Sequence, residues 1–263
     1  MQLTQGIHLS AVFEVRRHLP LLVFLPGMDG SALSLRQQAK GLISVFDARC
    51  FRIPKDDTTD WSGLANRLIE LVTEEQKHQP DRPIYLCGES FGACLALITI
   101  SRRPNLFDRL VLINPASSFS RQLWSSLGAT AVRWLPAPVY RFSSLGLLPF
   151  LTALERVSNR NRQALLQAMQ QVTPETAAWR LSLLQTFQLN QGFLKQFQVP
   201  TLLIASGADR LLPSVSEVQR LAALLQNAQT ITLSDSGHAC LLETEVNLYH
   251  LLRQAHFIPG VRV

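Results

Sequence analysis

Short apolar runs rich in β-forming residues alternate with longer segments of helical period along most of this chain, and few folds accommodate such alternation. "LPLLVFLPG" (19–27) reads as a buried strand ending in a Pro-Gly turn, and "DARCFRIP" (47–54) as a second strand. "DWSGLANRLIELVTEEQ" (60–76) places Trp61, Leu64, Leu68, Ile69 and Leu71 largely on one helical face. A strand "PIYLCG", a helix "FGACLALITISRRP" stopped by Pro104, and a strand "DRLVLINPA" (108–116) follow. "PTLLIASGAD" (200–209) and "AQTITLSDSG" (228–237) resume the strands, with "SVSEVQRLAALLQ" a helix between them and "TEVNLYHLLRQA" a helix after them. The pattern predicts an α/β fold: a mostly parallel sheet flanked by helices.

Between Ser117 and about Val199 the alternation stops. No convincing strand occurs there, and the period predicts helices around Trp124–Trp134, around Pro149–Arg156, from Asn161 to Gln171 and from Pro174 to Leu189. The chain then returns to the same sheet. Residues 1–116 and 200–263 are therefore read as two parts of one core, and residues 117–199 as a helical lid inserted between strands.

Composition removes several classes of function. Of 263 residues 47% are hydrophobic, enough to build a real core, yet no apolar run approaches the roughly 18 residues that span a bilayer. The start "MQLTQGIHLS" has no basic segment leading into an apolar one, so no secretory signal is read and a cytoplasmic location is expected. The net charge of +6 comes mostly from scattered arginines, without the aromatic interleaving of a nucleic-acid module, and no nucleic-acid partner is expected. Those arginines serve either surface solubility or a weak attraction to anionic lipid. Cys50, Cys87, Cys94 and Cys240 form no Cys-x-x-Cys pair, so neither a metal nor a redox site is expected, and buried free thiols are.

Chemistry concentrates at "CGESFG". Gly88-Glu89-Ser90-Phe91-Gly92 lies between a strand and a helix, the context of a nucleophile elbow. Glycines two residues either side of the serine suit a turn too sharp for bulky side chains. A serine nucleophile needs a base, and "DSGHACLLE" puts His238 on a glycine turn after the last strand. His8, His18 and His78 precede the elbow, while His250 and His256 fall in the final helical pattern and the tail. Asp209, just past the strand "TLLIAS", completes the order Ser90, Asp209, His238, although a loop aspartate also suits an Asx-turn. Asp235 and Glu243 lie too close to His238 in sequence to be preferred. The oxyanion hole is read as the N–H groups of Phe91, next to the nucleophile, and Met28, in the glycine-rich turn "GMDGS" (27–31). Asp29 is expected to point away from the developing charge and brace that turn.

With these stretches in place the chain resembles the α/β-hydrolase superfamily over essentially its whole length. Four of them together, "LPGMDGSALSL", "PIYLCGESFGACLAL", "INPASSF" and "LLIASGADRLLPS…SDSGHACLLE", resemble the hydrolase-like half of the plant plastid esterase/lipase/thioesterase proteins that include the phytyl ester synthases. The resemblance implies a triad of Ser90, Asp209 and His238, and acyl groups moved onto phytol or diacylglycerol. The His-x-x-x-x-Asp pattern of the family's acyltransferase half does not occur in these 263 residues. Transfer would then run through Ser90 itself or involve a separate acyltransferase partner.

The expected reaction is cleavage of a carboxylic ester or thioester through an acyl-enzyme, with no cofactor. "FSSLGLLPFLTAL" (142–154), with Trp124, Trp134, Tyr140, Phe142 and Phe150, makes the lid strongly apolar. Such a lid lines an acyl tunnel, touches a membrane peripherally, or packs as its own small core. Arg121, Arg133, Arg141, Arg156, Arg160 and Arg162 lie in the same region. Three functions follow: a serine esterase, lipase or thioesterase on a lipid ester; an acyltransferase with an alcohol acceptor; and a non-catalytic binding protein of the same fold.

Overall fold

A computed structural model describes residues 6–122 and 145–258. The expected helix around Trp124–Trp134, with Arg133, Tyr140, Arg141 and Phe142, lies outside the described residues. Seven strands form one sheet in the order β1-β3-β2-β4-β5-β6-β7. They are β1 His8–Ala11, β2 Leu21–Leu25, β3 Asp47–Arg52, β4 Ile84–Glu89, β5 Arg109–Ile113, β6 Thr201–Ser206 and β7 Ala228–Leu233. All neighbours pair in parallel except β1, which runs antiparallel to β3 with His8 opposite Arg52. The antiparallel edge is an addition to the sequence reading. β1 has only 4 residues and buries none of them fully, so it carries no apolar run to mark it.

The central strands β2, β4 and β6 are buried along their whole length, because helices cover both faces of the sheet. One face carries Trp61–His78, Phe91–Arg102 and Ser214–Ala222, and the other carries Leu248–Gln254 with the short turns after β2. In Trp61–His78 the buried residues are Leu64, Ala65, Leu68 and Val72, an i, i+4 stripe, and Asp60 caps the helix by accepting from Gly63 N–H at 2.8 Å. Cys50, Cys87, Cys94 and Cys240 are free and buried, as expected.

Among the described residues no strand occurs between β5 and β6. That insertion carries helices Asn159–Gln171 and Pro174–Gln185, plus short turns at Leu154–Arg156 and Gln191–Leu194. Both longer helices are capped as their sequences dictate, Ser158 accepting from Asn161 N–H and Thr173 from Thr176 N–H. The insertion meets the core through polar ties as well as apolar packing: Trp61 Nε1–H donates to the Leu183 carbonyl at 2.8 Å, and Asn161 Nδ2–H to the Leu242 carbonyl at 3.0 Å.

The elbow helix crosses β2 at close range. A Cβ on Gly92 would lie 2.1 Å from the Leu25 carbonyl oxygen, and one on Gly88 would lie 2.6 Å from the Gly92 carbonyl oxygen. Neither obstacle is a flexible side chain, so the backbone itself must shift to admit a methyl group. Gly92→Ala should therefore destabilise the fold by about 3 kcal/mol, a drop in melting temperature of about 10 °C. Gly146→Ala, where a Cβ meets nothing within 4 Å, should leave the melt unchanged or slightly raised.

Candidate active site

Ser90 sits at the tip of the turn between β4 and the helix Phe91–Arg102, with φ 54° and ψ −111°. A non-glycine residue at positive φ is strained, and it persists only where its surroundings over-determine it. Here Ser90 N–H donates to the Ile113 carbonyl at 2.9 Å, and the Ser90 carbonyl accepts from Ala93 N–H at 3.1 Å. The Phe91 side chain stacks on Trp61 with ring centroids 4.5 Å apart. That side chain is committed to the core, while its N–H belongs to the first turn of the helix, where no intrahelical acceptor exists.

The structure brings the three residues of the expected triad together. His238 Nε2 lies 2.8 Å from Ser90 Oγ, and His238 Nδ1 lies 2.8 Å from Asp209 Oδ2. Asp209 also makes the Asx-type turn that was the alternative reading of it. Its Oδ1 accepts from Leu211 N–H at 2.9 Å and Leu212 N–H at 3.0 Å, while Oδ2 takes His238 and the Ser214 hydroxyl. One carboxylate thus does both: the turn fixes its plane and the free edge faces the imidazole. Burial works against its charge, but His238 and the hydrogen bonds outweigh that and hold the Asp209 carboxyl below its ordinary value. For His238 burial disfavours the imidazolium, and Asp209 with Glu89 outweighs it, leaving the ring above the ordinary value of 6.5.

Glu243, together with Asn114 and Arg180, which no sequence motif marks, braces the loops around these groups. Asn114, itself at φ 44°, donates from Nδ2 to the His238 carbonyl at 2.6 Å and to Ser206 Oγ at 2.8 Å, and its Oδ1 accepts from Ser206 N–H at 2.7 Å. It ties the ends of β5 and β6 to the histidine loop. Glu243 accepts from Gly237 N–H and Ser236 Oγ, each at 2.8 Å, and from Arg156 Nε–H of the insertion at 2.8 Å. Its nearness in sequence to His238 serves to brace the loop. Arg180, from the helix Pro174–Gln185, donates to the carbonyls of Met28 and Pro54. Asn114 lies within "INPASSF", but only its place in space shows what it holds.

The site opens into a cavity of about 330 Å³. Asp29, Ser34, Glu89, Ser90 and His238 are its polar lining, and Phe119, Leu151, Leu165, Met169, Leu184 and Leu212 are among its apolar lining. Asp29 braces the turn, its carboxylate accepting from Ser31 Oγ–H as expected, and it is also among the residues that line the cavity. Burial raises its pKa, partly offset by Ser31 and Arg180. Glu89, also buried, is pushed up to about 7, chiefly by burial, with Ser34 and His238 opposing and Asp29 adding to the rise. Among the described residues no cluster of His, Cys, Asp and Glu could hold a metal ion.

A sheet of this order, with a serine at a strained strand–helix turn, defines a class. The sequence profile of the alpha/beta hydrolase family matches residues 22–247, and the chain belongs to that family. Phytyl ester synthase 1, chloroplastic, of Arabidopsis thaliana is 32% identical, over 89% of this chain and 36% of its own length. Phytyl ester synthase 2, chloroplastic, of the same plant is 30% identical, over 89% of this chain and 37% of its own length. The chain thus spans little more than a third of these two relatives. MenH from S. aureus shares the fold with a TM-score of 0.76 at 16% identity, over 96% of this chain and 99% of that one.

Two pH effects follow from the raised His238. A base role for His238 requires the neutral ring and so predicts that kcat/KM rises with pH through a midpoint above 6.5. Glu89→Gln removes a negative charge that favours the imidazolium and should move that midpoint to lower pH. A pH–rate profile of both proteins checks the direction; an unmoved or raised midpoint in the variant contradicts it.

Proposed function

We propose that this α/β-hydrolase cleaves esters or thioesters of long apolar acyl groups through an acyl-enzyme on Ser90. The observation that carries the reading is Ser90 Oγ lying 2.8 Å from His238 Nε2 on a cavity whose lining is mostly apolar. His238 takes the proton as Ser90 attacks the carbonyl carbon, and Asp209 keeps the ring oriented and stabilises the imidazolium. The N–H groups of Phe91 and Met28 receive the oxyanion. Collapse of the tetrahedral intermediate breaks the ester bond, and His238 returns its proton to the leaving alkoxide or thiolate. A water activated by His238 then releases the acid and frees Ser90.

The cavity volume lies at the lower end of the range for small-molecule sites, which suits one acyl chain better than a whole triester. Leu147 lines the cavity and is 43% exposed. Leu145 and Phe150 beside it are also exposed, a surface that a lipid substrate would meet first and through which the lid would make its peripheral membrane contact. A second reading, transfer of the acyl group to an alcohol in place of water, is favoured by the similarity to the two phytyl ester synthases.

Kinetics on a series of acyl esters separates these readings. Each methylene buried is worth about 0.8 kcal/mol, so kcat/KM should climb about fourfold per added carbon until the cavity is full. A preference for acetyl esters would overturn the acyl-chain assignment. Ser90→Ala should lower turnover by more than about a thousandfold, whereas unchanged turnover removes the acyl-enzyme. Supplying phytol as co-substrate gives phytyl ester in excess of free acid if transfer is the function, and free acid alone if hydrolysis is.

A further inference from the structure

The helix Pro174–Gln185 buries Ala177, Ala178, Leu183 and Leu184, and among them an arginine. Arg180 is only 2% exposed, and a guanidinium so placed is tolerated where its N–H groups find acceptors. Its Nη1 donates to the Met28 carbonyl, and its Nη2 to the Pro54 carbonyl at 2.7 Å. Those carbonyls belong to the loops that leave β2 and β3, neighbouring strands of the sheet. One side chain of the insertion therefore bridges two loops of the core.

The loop after β2 is already constrained from one side. Gly30 N–H donates to the Gly27 carbonyl at 3.1 Å and Ile53 N–H donates to the Gly30 carbonyl at 3.3 Å, closing a turn against β3. Gly30 holds φ 67°, and a Cβ there would lie 2.4 Å from the Ile53 carbonyl oxygen. Arg180 supplies the constraint from the other side. The peptide before Met28 carries its N–H and the peptide after it carries its carbonyl; the two planes are related only by Met28 φ and ψ. Pinning the carbonyl outward onto a guanidinium limits where the N–H can point.

We propose that Arg180 is a positioning residue of the oxyanion hole, holding the Gly27–Gly30 loop so that Met28 N–H faces the oxygen on which negative charge develops. The inference rests on the assignment of Met28 N–H as an oxyanion donor. Arg180 also offsets the negative charge of Asp29 on the same loop, which would otherwise oppose that oxyanion. The geometry makes the insertion part of the catalytic apparatus: the helix that walls the acyl cavity also sets the donor.

The test compares Arg180→Met and Arg180→Lys with the wild type on one ester of optimal chain length. A lost oxyanion donor costs about 100-fold to 1000-fold in kcat, so Arg180→Met should lose about 100-fold in kcat with KM within about twofold. Arg180→Lys keeps the charge and can reach one carbonyl, and it should recover part of that loss. Both steps use the oxyanion hole, so the presteady-state burst and the steady state should slow together. If folded Arg180→Met keeps kcat within about threefold of wild type, or loses activity through KM alone, the proposal is overturned. Should Arg180→Met fail to fold, Arg180→Leu takes its place under the same criteria. Wild type without any turnover would instead remove the acyl-enzyme reading, an outcome visible before either variant is compared.

Discussion

The contact of the elbow helix with β2 governs the rest of the molecule. Where Gly92 would carry a Cβ, the Leu25 carbonyl oxygen is 2.1 Å away, and the Pro26 carbonyl oxygen 2.6 Å. Only bare backbone lets β4 turn into its helix at that distance. The turn then forces Ser90 to positive φ, out of line with both strand and helix, and exposes its hydroxyl to the cavity. The same crossing sets the loop after β2 beside the first N–H groups of the helix. A serine hydroxyl facing the cavity and a cluster of helix N–H groups beside it thus arise from one steric fact, before any other polar side chain is considered.

What that turn creates on one side, the histidine loop must meet on the other, and the loop is held from several directions. Asn114 fixes its backbone at the His238 carbonyl, Glu243 at Gly237 N–H, and Asp209 fixes the ring itself. The insertion joins in. Ala239 N–H donates to the Leu151 carbonyl at 2.8 Å, Thr244 N–H to the Arg156 carbonyl at 3.0 Å, and Gly237 passes so close to Ala153 that a Cβ would lie 2.6 Å from its nitrogen. Together with Arg180 on the opposite loop, these ties mean the helices over the cavity are bonded to both halves of the site. Rigid support of this kind is what keeps reacting groups within the few tenths of an ångström that catalysis demands.

Most strands and the three polar residues of the site were legible in the sequence, each for a physical reason. β2, β4 and β6 are buried on both faces, so they read as unbroken apolar runs. Ser90, Asp209 and His238 each follow a strand on a loop with glycine nearby, and chain order alone relates them. The supporting residues were not legible, because their function depends on distance rather than on spacing. Arg180 and Met28 are 152 positions apart, and Asn114 and His238 are 124 apart. Nothing in a helical stretch such as "PETAAWRLSLLQ" tells a buried arginine from an exposed one. β1 escaped notice because a half-buried edge strand of 4 residues has too short a pattern to stand out.

The central claim is that Ser90 is the nucleophile. Treating the folded protein with a long-chain alkyl fluorophosphonate and mapping the adduct by peptide mass spectrometry tests it directly. One stoichiometric adduct is expected, on the peptide containing Ser90, formed much more slowly in His238→Ala. A folded wild type that carries no adduct, or carries it on a different serine, would contradict the account.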